Sequence, residues 1–306
     1  MNIAQSNINH YLDYCKTQKC LDTKTLNAYK IDLKQFYDSS PIYDITDIST
    51  EMIENYIGHL HKNYKPKTAK RKIASIKAFF HYLEYKDLID VNPFNKIQVK
   101  FREPVTLPKT IPLHNIEKLL STIYSQQKYA KTSYQKRNSL RDAAVIELLF
   151  ATGIRISELC TLKINDINLH NGNILIHGKG NKERIIQIGN MSVIKILNDY
   201  KAEFYPEMIK CNHFFTNQSG RPLNDQAVRR MINKYSKIAA IDLHITPHMF
   251  RHTFATSLLE EDVDIRYIQK MLGHSSINIT EIYTHVTMSK QKNILTTKHP
   301  RNKFNI

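Results

Sequence analysis

The sequence predicts a mainly α-helical protein of two domains, with a small β-sheet in the second domain. Its 306 residues are more than one typical hydrophobic core requires. Apolar residues recur at three- and four-residue steps through most of the chain, as one buried helix face requires. The segment 98–112, rich in proline and charged residues, interrupts this pattern and is typical of a linker. We therefore expect domains at 1–97 and 113–306.

The first domain is predicted to be a small bundle of four helices. They are expected at residues 5–18, 23–38, 50–63 and 67–86. In the second of these, Leu26, Tyr29 and Leu33 recur at helical spacing and form one apolar face. Pro66 precedes the fourth, where the missing N–H of proline has no intrahelical partner to lose.

The second domain is predicted to mix helices with two short strands. Helices are expected at 115–124 and 139–152, and again after Asn190. Gly153 is predicted to end the helix 139–152. Residues 174–177 and 184–188 are predicted strands, joined by a turn that contains glycine. The polar, basic stretch 125–138 is interpreted as a flexible loop.

The composition indicates a polyanionic partner. Lys and Arg number 44 against 28 Asp and Glu, which gives a formal charge of +16 and favours nucleic acid over an anionic membrane surface. A membrane-spanning run and an export signal are both missing from the sequence, so we expect a cytoplasmic protein with no membrane partner. The four cysteines lack zinc or disulfide spacing and are interpreted as reduced thiols.

Six residues of the second half stand out as an ordered set. They are Arg155, Lys179, His248, Arg251, His274 and Tyr283. In this order, with a His-x-x-Arg pair and with the last two residues nine apart, the set resembles the tyrosine recombinase family. The flanking sequence is close to the Xer recombinases of that family. The resemblance extends over nearly the whole chain, including Thr25 to Phe36, which is similar to the family's core-binding domain.

This resemblance implies a fold and a mechanism. The fold is a four-helix, SAM-like core-binding domain joined to a mixed α+β, mostly helical catalytic domain, the two closing around duplex DNA. Tyr283 would be the nucleophile that forms a 3′-phosphotyrosyl bond, and Lys179 the general acid for the leaving 5′-oxygen. Cofactors, metal ions and ATP are not implied.

The remaining residues of the set would bind the phosphate and move its protons. Arg155 and Arg251 present planar forks for the two non-bridging phosphate oxygens. His248 would accept the tyrosine proton or bond the phosphate, and His274 would be a further phosphate donor. Glu158, one helical turn after Arg155, resembles the family's acid that orients these cations.

Each of these residues taken singly has an ordinary structural interpretation. Arg155 and Glu158 could be a surface ion pair, Lys179 a solvated turn residue, and Tyr283 a packed aromatic. Three histidines, His244, His248 and His252, stand four apart and imitate a metal-binding face. Because the predicted helix starts at Pro247, only two of them lie on it, and no metal site is predicted.

A basic run near the start of the fourth helix is the predicted DNA-binding surface of the first domain. Its members are Lys67, Lys70, Arg71, Lys72 and Lys77. Such a run is ordinarily a solvated helix face. The resemblance places this helix on DNA, so we predict phosphate contacts that position the protein without reading the base sequence.

Recombination joins two duplexes through four cuts, so the predicted assembly is a homo- or hetero-tetramer on a double-stranded recombination site. A second recombinase as partner stays open. The first domain starts close to the beginning of the chain, which leaves no room for the arm-binding module of lambda-type integrases and favours simple sites. Two alternatives remain: an integrase or resolvase of a phage, transposon or plasmid, and a catalytically silent DNA-binding protein.

Overall fold

The computed structural model describes residues 3–39, 44–99, 108–178 and 182–273. The chain divides into two compact units, one within 1–105 and one within 106–306. Each unit has a separate hydrophobic core. Along the described ranges, no helix is both long and apolar enough to cross a membrane.

Four α-helices make up the described part of the first unit. They are α1 (Ile3–Thr17), α2 (Thr23–Asp38), α3 (Thr50–Asn63) and α4 (Pro66–Tyr85), with short 3₁₀ turns at Ile45–Asp47 and Pro93–Lys96. Side chains cap two of the helix starts: Asp22 accepts from the Thr25 N–H at 2.8 Å, and Ser49 from the Met52 N–H at 3.2 Å. All four helices begin and end within two residues of the predicted positions.

The core of the first unit is rich in aromatic rings. Tyr11, Phe79 and Phe80 are fully buried, and Phe36 is 1% exposed. Tyr11 meets Phe79 edge-on at a centroid distance of 5.2 Å, and Phe36 meets Phe80 in the same way at 6.2 Å. The rings of α1, α2 and α4 therefore pack into one cluster.

The second unit contains seven α-helices and a three-stranded sheet among its described residues. The helices are α5 (Leu113–Lys128), α6 (Ser133–Thr152), α7 (Ile156–Thr161), α8 (Met191–Cys211), α9 (Asp225–Ile238), α10 (Pro247–Glu260) and α11 (Ile265–Leu272). The central helix is α6, in which every residue from Ala143 to Ile146 is fully buried. It packs against α5, α8 and α10.

The sheet is antiparallel, in the order β1 (Ile167–Asn168), β2 (Asn173–His177) and β3 (Glu183–Gln187). The strands β2 and β3 correspond to the two predicted ones, while β1 was not predicted. In the hairpin, Ile174 pairs with Ile186, and Ile176 pairs with Arg184. The Gly178 N–H donates to the Lys182 carbonyl at 2.7 Å and closes the hairpin beyond the last ladder pair.

The predicted flexible loop at 125–138 is wrong. α5 continues to Lys128 and α6 already begins at Ser133, so only four residues separate the two helices. A capping box starts α6: the Thr132 side chain accepts from the Gln135 N–H, and the Gln135 side chain accepts from the Thr132 N–H. Arg137 then holds the start of α6 to α8 through Glu203 at 2.9 Å and Glu207 at 2.7 Å.

Candidate active site

Arg155 stands at the start of α7, directly after a tight junction with α6. Gly153 ends α6 in the left-handed conformation, with φ at +59°. A Cβ at this position would lie 2.6 Å from Cδ1 of Phe254 and 3.1 Å from Cδ2 of Leu272. The missing side chain therefore lets α10 and α11 approach the backbone two residues before Arg155.

Glu158 holds Arg155 in two ways. Its Oε2 accepts from the Arg155 backbone N–H at 2.8 Å, and its Oε1 accepts from the Arg155 guanidinium, also at 2.8 Å. The Glu158 side chain is 5% exposed, whereas that of Arg155 is 35% exposed. The guanidinium is thus anchored on the protein side and keeps an accessible edge.

A second arginine, Arg184 of β3, meets the same carboxylate. Its NH1 and NH2 donate to Oε1 and Oε2 of Glu158 at 3.0 and 2.8 Å. Burial raises the pKa of Glu158, but the hydrogen bonds from Arg184 and Arg155 outweigh it and hold the pKa below its ordinary value. Glu158 is therefore an ionised carboxylate between two guanidinium groups.

Arg251 of α10 is only 4% exposed and bridges two backbone segments. Its NH1 donates to the Gly153 carbonyl at 2.8 Å, and its NH2 to the Leu272 carbonyl at 2.6 Å. The first bond joins α10 to the residues that precede Arg155. The second joins it to the last residue of α11, two positions before His274.

His248 lies three residues before Arg251 on the same helix, α10. Partial burial lowers the pKa of His248, and the guanidinium groups of Arg229, Arg251 and Arg155 lower it further. Three cations therefore act on one imidazole. Arg155 and the His248–Arg251 pair, predicted from two separate motifs, are brought together, and Arg229 of α9 joins them.

Lys179, His274 and Tyr283 lie outside the described residues, so their predicted roles stay predictions. Two of them directly follow described residues. Gly178 ends the β2 side of the hairpin that carries Lys179, and Gly273 is the C-cap of α11 directly before His274. Both flanks belong to the same unit as Arg155 and Arg251.

Sequence reasoning missed Arg184. The signal that could have found it is the alternation of β3, in which Arg184 and Ile186 are less exposed than Glu183, Ile185 and Gln187. Because Arg184 is on the inward side of the strand, its charge needs a partner inside the unit. Glu158 is that partner.

The histidine triplet does not form a metal-binding face. α10 begins at Pro247, as predicted, so His244 lies before the helix. Within the part of the chain that the structure covers, no three His, Cys, Asp or Glu residues lie close enough together to hold a metal ion.

The basic run on α4 is divided by the structure. Lys67, Lys70 and Lys77 are exposed. Lys72 is placed differently from the prediction: its side chain is 4% exposed, and its ammonium bonds Asp32 at 3.1 Å and also Gln35. The prediction of a DNA contact is corrected for Lys72, because its charge is neutralised inside the unit. Arg71 is exposed as well, with 46% of its side chain accessible, but it is bonded to Asp32.

Two protein-family models match the chain in regions that correspond to the two units. The model of the phage integrase N-terminal SAM-like domain covers residues 8–86. The model of the phage integrase family covers residues 110–290, more than half of the chain. The chain belongs to the phage integrase family. The predicted membership of the tyrosine recombinases is thereby confirmed, as is the predicted fold of a SAM-like helical domain followed by a mostly helical catalytic domain.

Curated relatives within the family are similar along nearly the whole chain. A tyrosine recombinase of Agathobacter rectalis is 68% identical over 304 residues, 99% of each protein. The tyrosine recombinase XerD of Halalkalibacterium halodurans is 35% identical over 309 residues, 98% of this chain and 100% of that protein. The family member described here is accordingly a site-specific recombinase of the Xer-like kind, as predicted.

Solved structures agree with this fold. A crystal structure of XerA recombinase is similar with 27% identity and a TM-score of 0.54, covering 97% of this chain and 99% of that one. XerH, bound to its palindromic difH substrate, is similar with 22% identity and a TM-score of 0.71, covering 93% of this chain and 83% of that one. The similarity to XerH is a similarity of fold.

Proposed function

We propose that this chain cuts and rejoins duplex DNA at a specific site through a 3′-phosphotyrosyl bond to Tyr283. The observation that carries the proposal is the convergence of Arg155, Arg251 and His248 in one unit, with the buried Glu158 carboxylate bonded to the Arg155 guanidinium. Two guanidinium groups and an imidazole at one place suit the oxygens of a phosphate diester. Glu158, an ionised carboxylate between Arg155 and Arg184, fixes the first of these two guanidinium groups.

In the proposed cleavage step the Tyr283 oxygen attacks phosphorus and the bond from phosphorus to the 5′-oxygen breaks. The tyrosine proton passes to His248, and Lys179 gives a proton to the departing 5′-oxygen. Arg155 and Arg251 bind the non-bridging oxygens, and His274 adds a further donor. Attack by a 5′-hydroxyl on the phosphotyrosyl bond reverses each transfer and reseals the strand.

The leaving group makes the larger demand on catalysis. A tyrosine with a pKa of ~10 is about three units from ionised at neutral pH, a deficit of roughly 4 kcal/mol. Expelling an alkoxide with a pKa near ~15.7 costs on the order of 12 kcal/mol against a protonated leaving group. The general acid assigned to Lys179 is therefore the more important of the two proton transfers.

The lowered pKa of His248 makes it neutral, and so able to accept a proton, at physiological pH. A phosphate bound among the three guanidinium groups would offset their positive charge. The protonated imidazole then becomes easier to form. We infer that His248 is a better base with DNA bound than without it.

We further propose a core-binding domain at 1–97, a linker at 98–112 and a catalytic domain at 113–306. The two compact units and the two matched regions support these boundaries. The proposed partner is a double-stranded recombination site bound by a tetramer, with or without a second recombinase. Support comes from family members whose structures are described as a tetramer on a Holliday junction and a complex with a difH substrate.

A DNA substrate nicked close to the cleavage position tests the proposal. Cleavage releases a short fragment that carries the new 5′-hydroxyl, and once this fragment has diffused away the strand cannot be resealed, so the protein–DNA adduct accumulates. We expect an adduct with the unaltered protein and none with Tyr283→Phe. Tyr267→Phe, an exposed tyrosine of α11, is the matched control and should form the adduct normally. Adduct formation by Tyr283→Phe would disprove the assignment.

The role of Lys179 has its own test. A bridging 5′-sulfur leaves without much protonation, so this substrate should restore cleavage by Lys179→Ala. Lack of rescue would show that Lys179 is not the acid.

We also propose that the reaction needs neither metal nor ATP, because the phosphotyrosyl bond retains the energy of the broken phosphodiester. Full adduct yield in a chelator without nucleotide is the expected result.

The Xer-like role rests on relatives named XerD that are 34–35% identical over almost the entire chain. We propose that the protein resolves chromosome dimers. Deleting its gene should then leave chromosome dimers that fail to separate between daughter cells. The purified protein should recombine an inverted-repeat site near its gene. If the site lies at the ends of a mobile element instead, the integrase alternative is correct.

A further inference from the structure

Arg184 uses its guanidinium to join three parts of the catalytic unit. Its side chain is 12% exposed. NH1 and NH2 grip both oxygens of Glu158, at 3.0 and 2.8 Å, and Nε donates to the Met271 carbonyl at 2.8 Å. This is the bidentate geometry that arginine offers and lysine does not. β3, α7 and α11 are thus connected through one planar group.

Each of the three parts leads directly to a residue of the proposed site. Glu158 on α7 holds both the backbone N–H and the guanidinium of Arg155. Met271 lies in the last turn of α11, and the chain continues through Gly273 to His274. β3 starts at Glu183, next to the Lys182 that closes the hairpin carrying Lys179.

The carbonyls at the C-terminus of α11 show how completely this junction is bonded. The Gly273 N–H donates to the carbonyls of Gln269 and Lys270, at 2.9 and 3.2 Å. The next two carbonyls, of Met271 and Leu272, accept from Arg184 and Arg251. All four terminal acceptors of the helix have partners, and two of these partners are positively charged, as the helix dipole favours.

Close contact with Gly273 fixes Arg184 further. Gly273 is left-handed, with φ at +65°, and a Cβ there would lie 3.0 Å from both Cδ and NH1 of Arg184. The arginine therefore lies directly over the glycine that precedes His274. A side chain at position 273 would push the guanidinium away from Glu158.

We infer that Arg184 is a positioning residue for strand cleavage: through Glu158 it holds Arg155, and it fixes the described backbone at Gly273 and next to Lys182, beside which the sequence carries the proposed His274 and Lys179. This inference rests on the proposed function, because it uses the proposed roles of those three residues. Arg184 acts through Glu158 and the Met271 carbonyl, and it does not itself touch DNA.

Two consequences separate this role from a contribution to folding alone. First, cleavage should fall while DNA affinity stays, since the guanidinium is bonded to Glu158 and to backbone. Displacing a catalytic group by about 1 Å can cost about 100-fold in rate. Second, Arg184 is the strongest of the groups that lower the pKa of Glu158. Without it, Glu158 becomes protonated at higher pH, and the acid side of the rate profile should shift upward.

The test measures single-turnover adduct formation on the nicked substrate at saturating DNA, across pH, together with DNA affinity and thermal stability. Arg184→Lys keeps the charge and loses the fork. We expect cleavage to fall about 100-fold, with affinity within about threefold and with the acid limb at higher pH. Arg137→Gln is the matched control, because Arg137 also bonds two glutamates, Glu203 and Glu207, but lies away from the site. Its cleavage rate and pH profile should equal those of the unaltered protein.

If Arg184→Lys does not fold, the double variant Glu158→Gln/Arg184→Gln removes both charges together and keeps neutral hydrogen-bonding groups, so the fold should be retained. It should show the same loss of cleavage. The inference is overturned if Arg184→Lys cleaves within threefold of the unaltered rate or with an unchanged pH profile, or if the double variant cleaves within threefold of the unaltered rate. Tyr283→Phe separates the two hypotheses: an adduct with this variant refutes the proposed function, whereas its absence, with fast cleavage by Arg184→Lys, refutes only the role of Arg184.

Discussion

Removal of the Asp32 carboxylate should destabilise the first unit strongly. Asp32 is fully buried and accepts from Lys72 Nζ at 3.1 Å, from Ser75 Oγ at 2.8 Å and from Arg71. The Lys72 side chain is 4% exposed, so Asp32→Ala leaves its ammonium inside the fold without a carboxylate. The Gln35 oxygen and the ring of Tyr64, 5.0 Å from Nζ, remain as neutral partners.

The expected loss is large relative to the stability of a domain. Breaking a buried ion pair by removing one partner costs about 3–5 kcal/mol, against a total of about 5–15 kcal/mol for a typical domain. In a domain of about 100 residues, each kcal/mol lowers the unfolding midpoint by roughly 5 °C, so we expect a fall of about 20 °C.

Thermal and urea unfolding followed by circular dichroism and tyrosine fluorescence measure this loss, since the chain has 17 tyrosines and no tryptophan. Glu54→Ala removes an exposed carboxylate from α3 and should change the stability by less than about 0.5 kcal/mol. Asp32→Leu/Lys72→Met replaces the pair by apolar groups and should recover most of the stability. The reasoning is refuted if Asp32→Ala costs under about 1 kcal/mol, or if the double variant is as unstable as the single one.

Three further predictions concern DNA binding, the α6–α7 junction and pH. Lys67→Gln should reduce the slope of log affinity against log salt by about one unit, whereas Asp32→Leu/Lys72→Met, in which both partners of the buried pair are replaced, should leave it unchanged; equal slopes for both would contradict the division of the basic run. Gly153→Ala should cost about 1–3 kcal/mol and slow cleavage, because its Cβ would lie 2.6 Å from the Phe254 ring at a left-handed φ; unfolding and cleavage at unaltered levels would contradict this. Because the pKa of His248 is lowered from 6.5, the unfolded chain takes up that proton first, so stability should decline as pH falls below about 6.5; a His248→Gln variant should lose this part of the decline, and an identical pH dependence would count against it.

Local signals in the sequence predicted most of the secondary structure. The predicted helices at 23–38 and 50–63 coincide with α2 and α3, because helical spacing and the capping side chains of Asp22 and Ser49 are both local. The segment 125–138 was misjudged because its polarity was taken as a sign of a loop. Thr132 and Gln135 form a capping box, a local signal that would have predicted the start of α6.

The candidate site was partly open to the same approach. The residue types needed for phosphate chemistry occur in a recognisable order, which identified the family and named Arg155, Glu158, His248 and Arg251 before any fold was known. Their distribution over separate helices gave no information on contacts. That Arg251 bonds the carbonyls of Gly153 and Leu272, 98 and 21 residues away in the chain, follows only from how α6, α10 and α11 pack.

By itself, then, the sequence determined the family, the helical periodicity and the chemistry of the site, since these depend on residue type, order and local spacing. The tertiary structure decided which charges are committed to other charges. Lys72 looks like its exposed neighbours on α4 until Asp32, 40 residues earlier, takes up its ammonium. From the sequence, Arg184 is an ordinary hairpin residue. In the fold its guanidinium bonds Glu158, 26 residues away, and the carbonyl of Met271, 87 residues away. Partners so distant in sequence are selected by packing, and packing leaves no local pattern to detect.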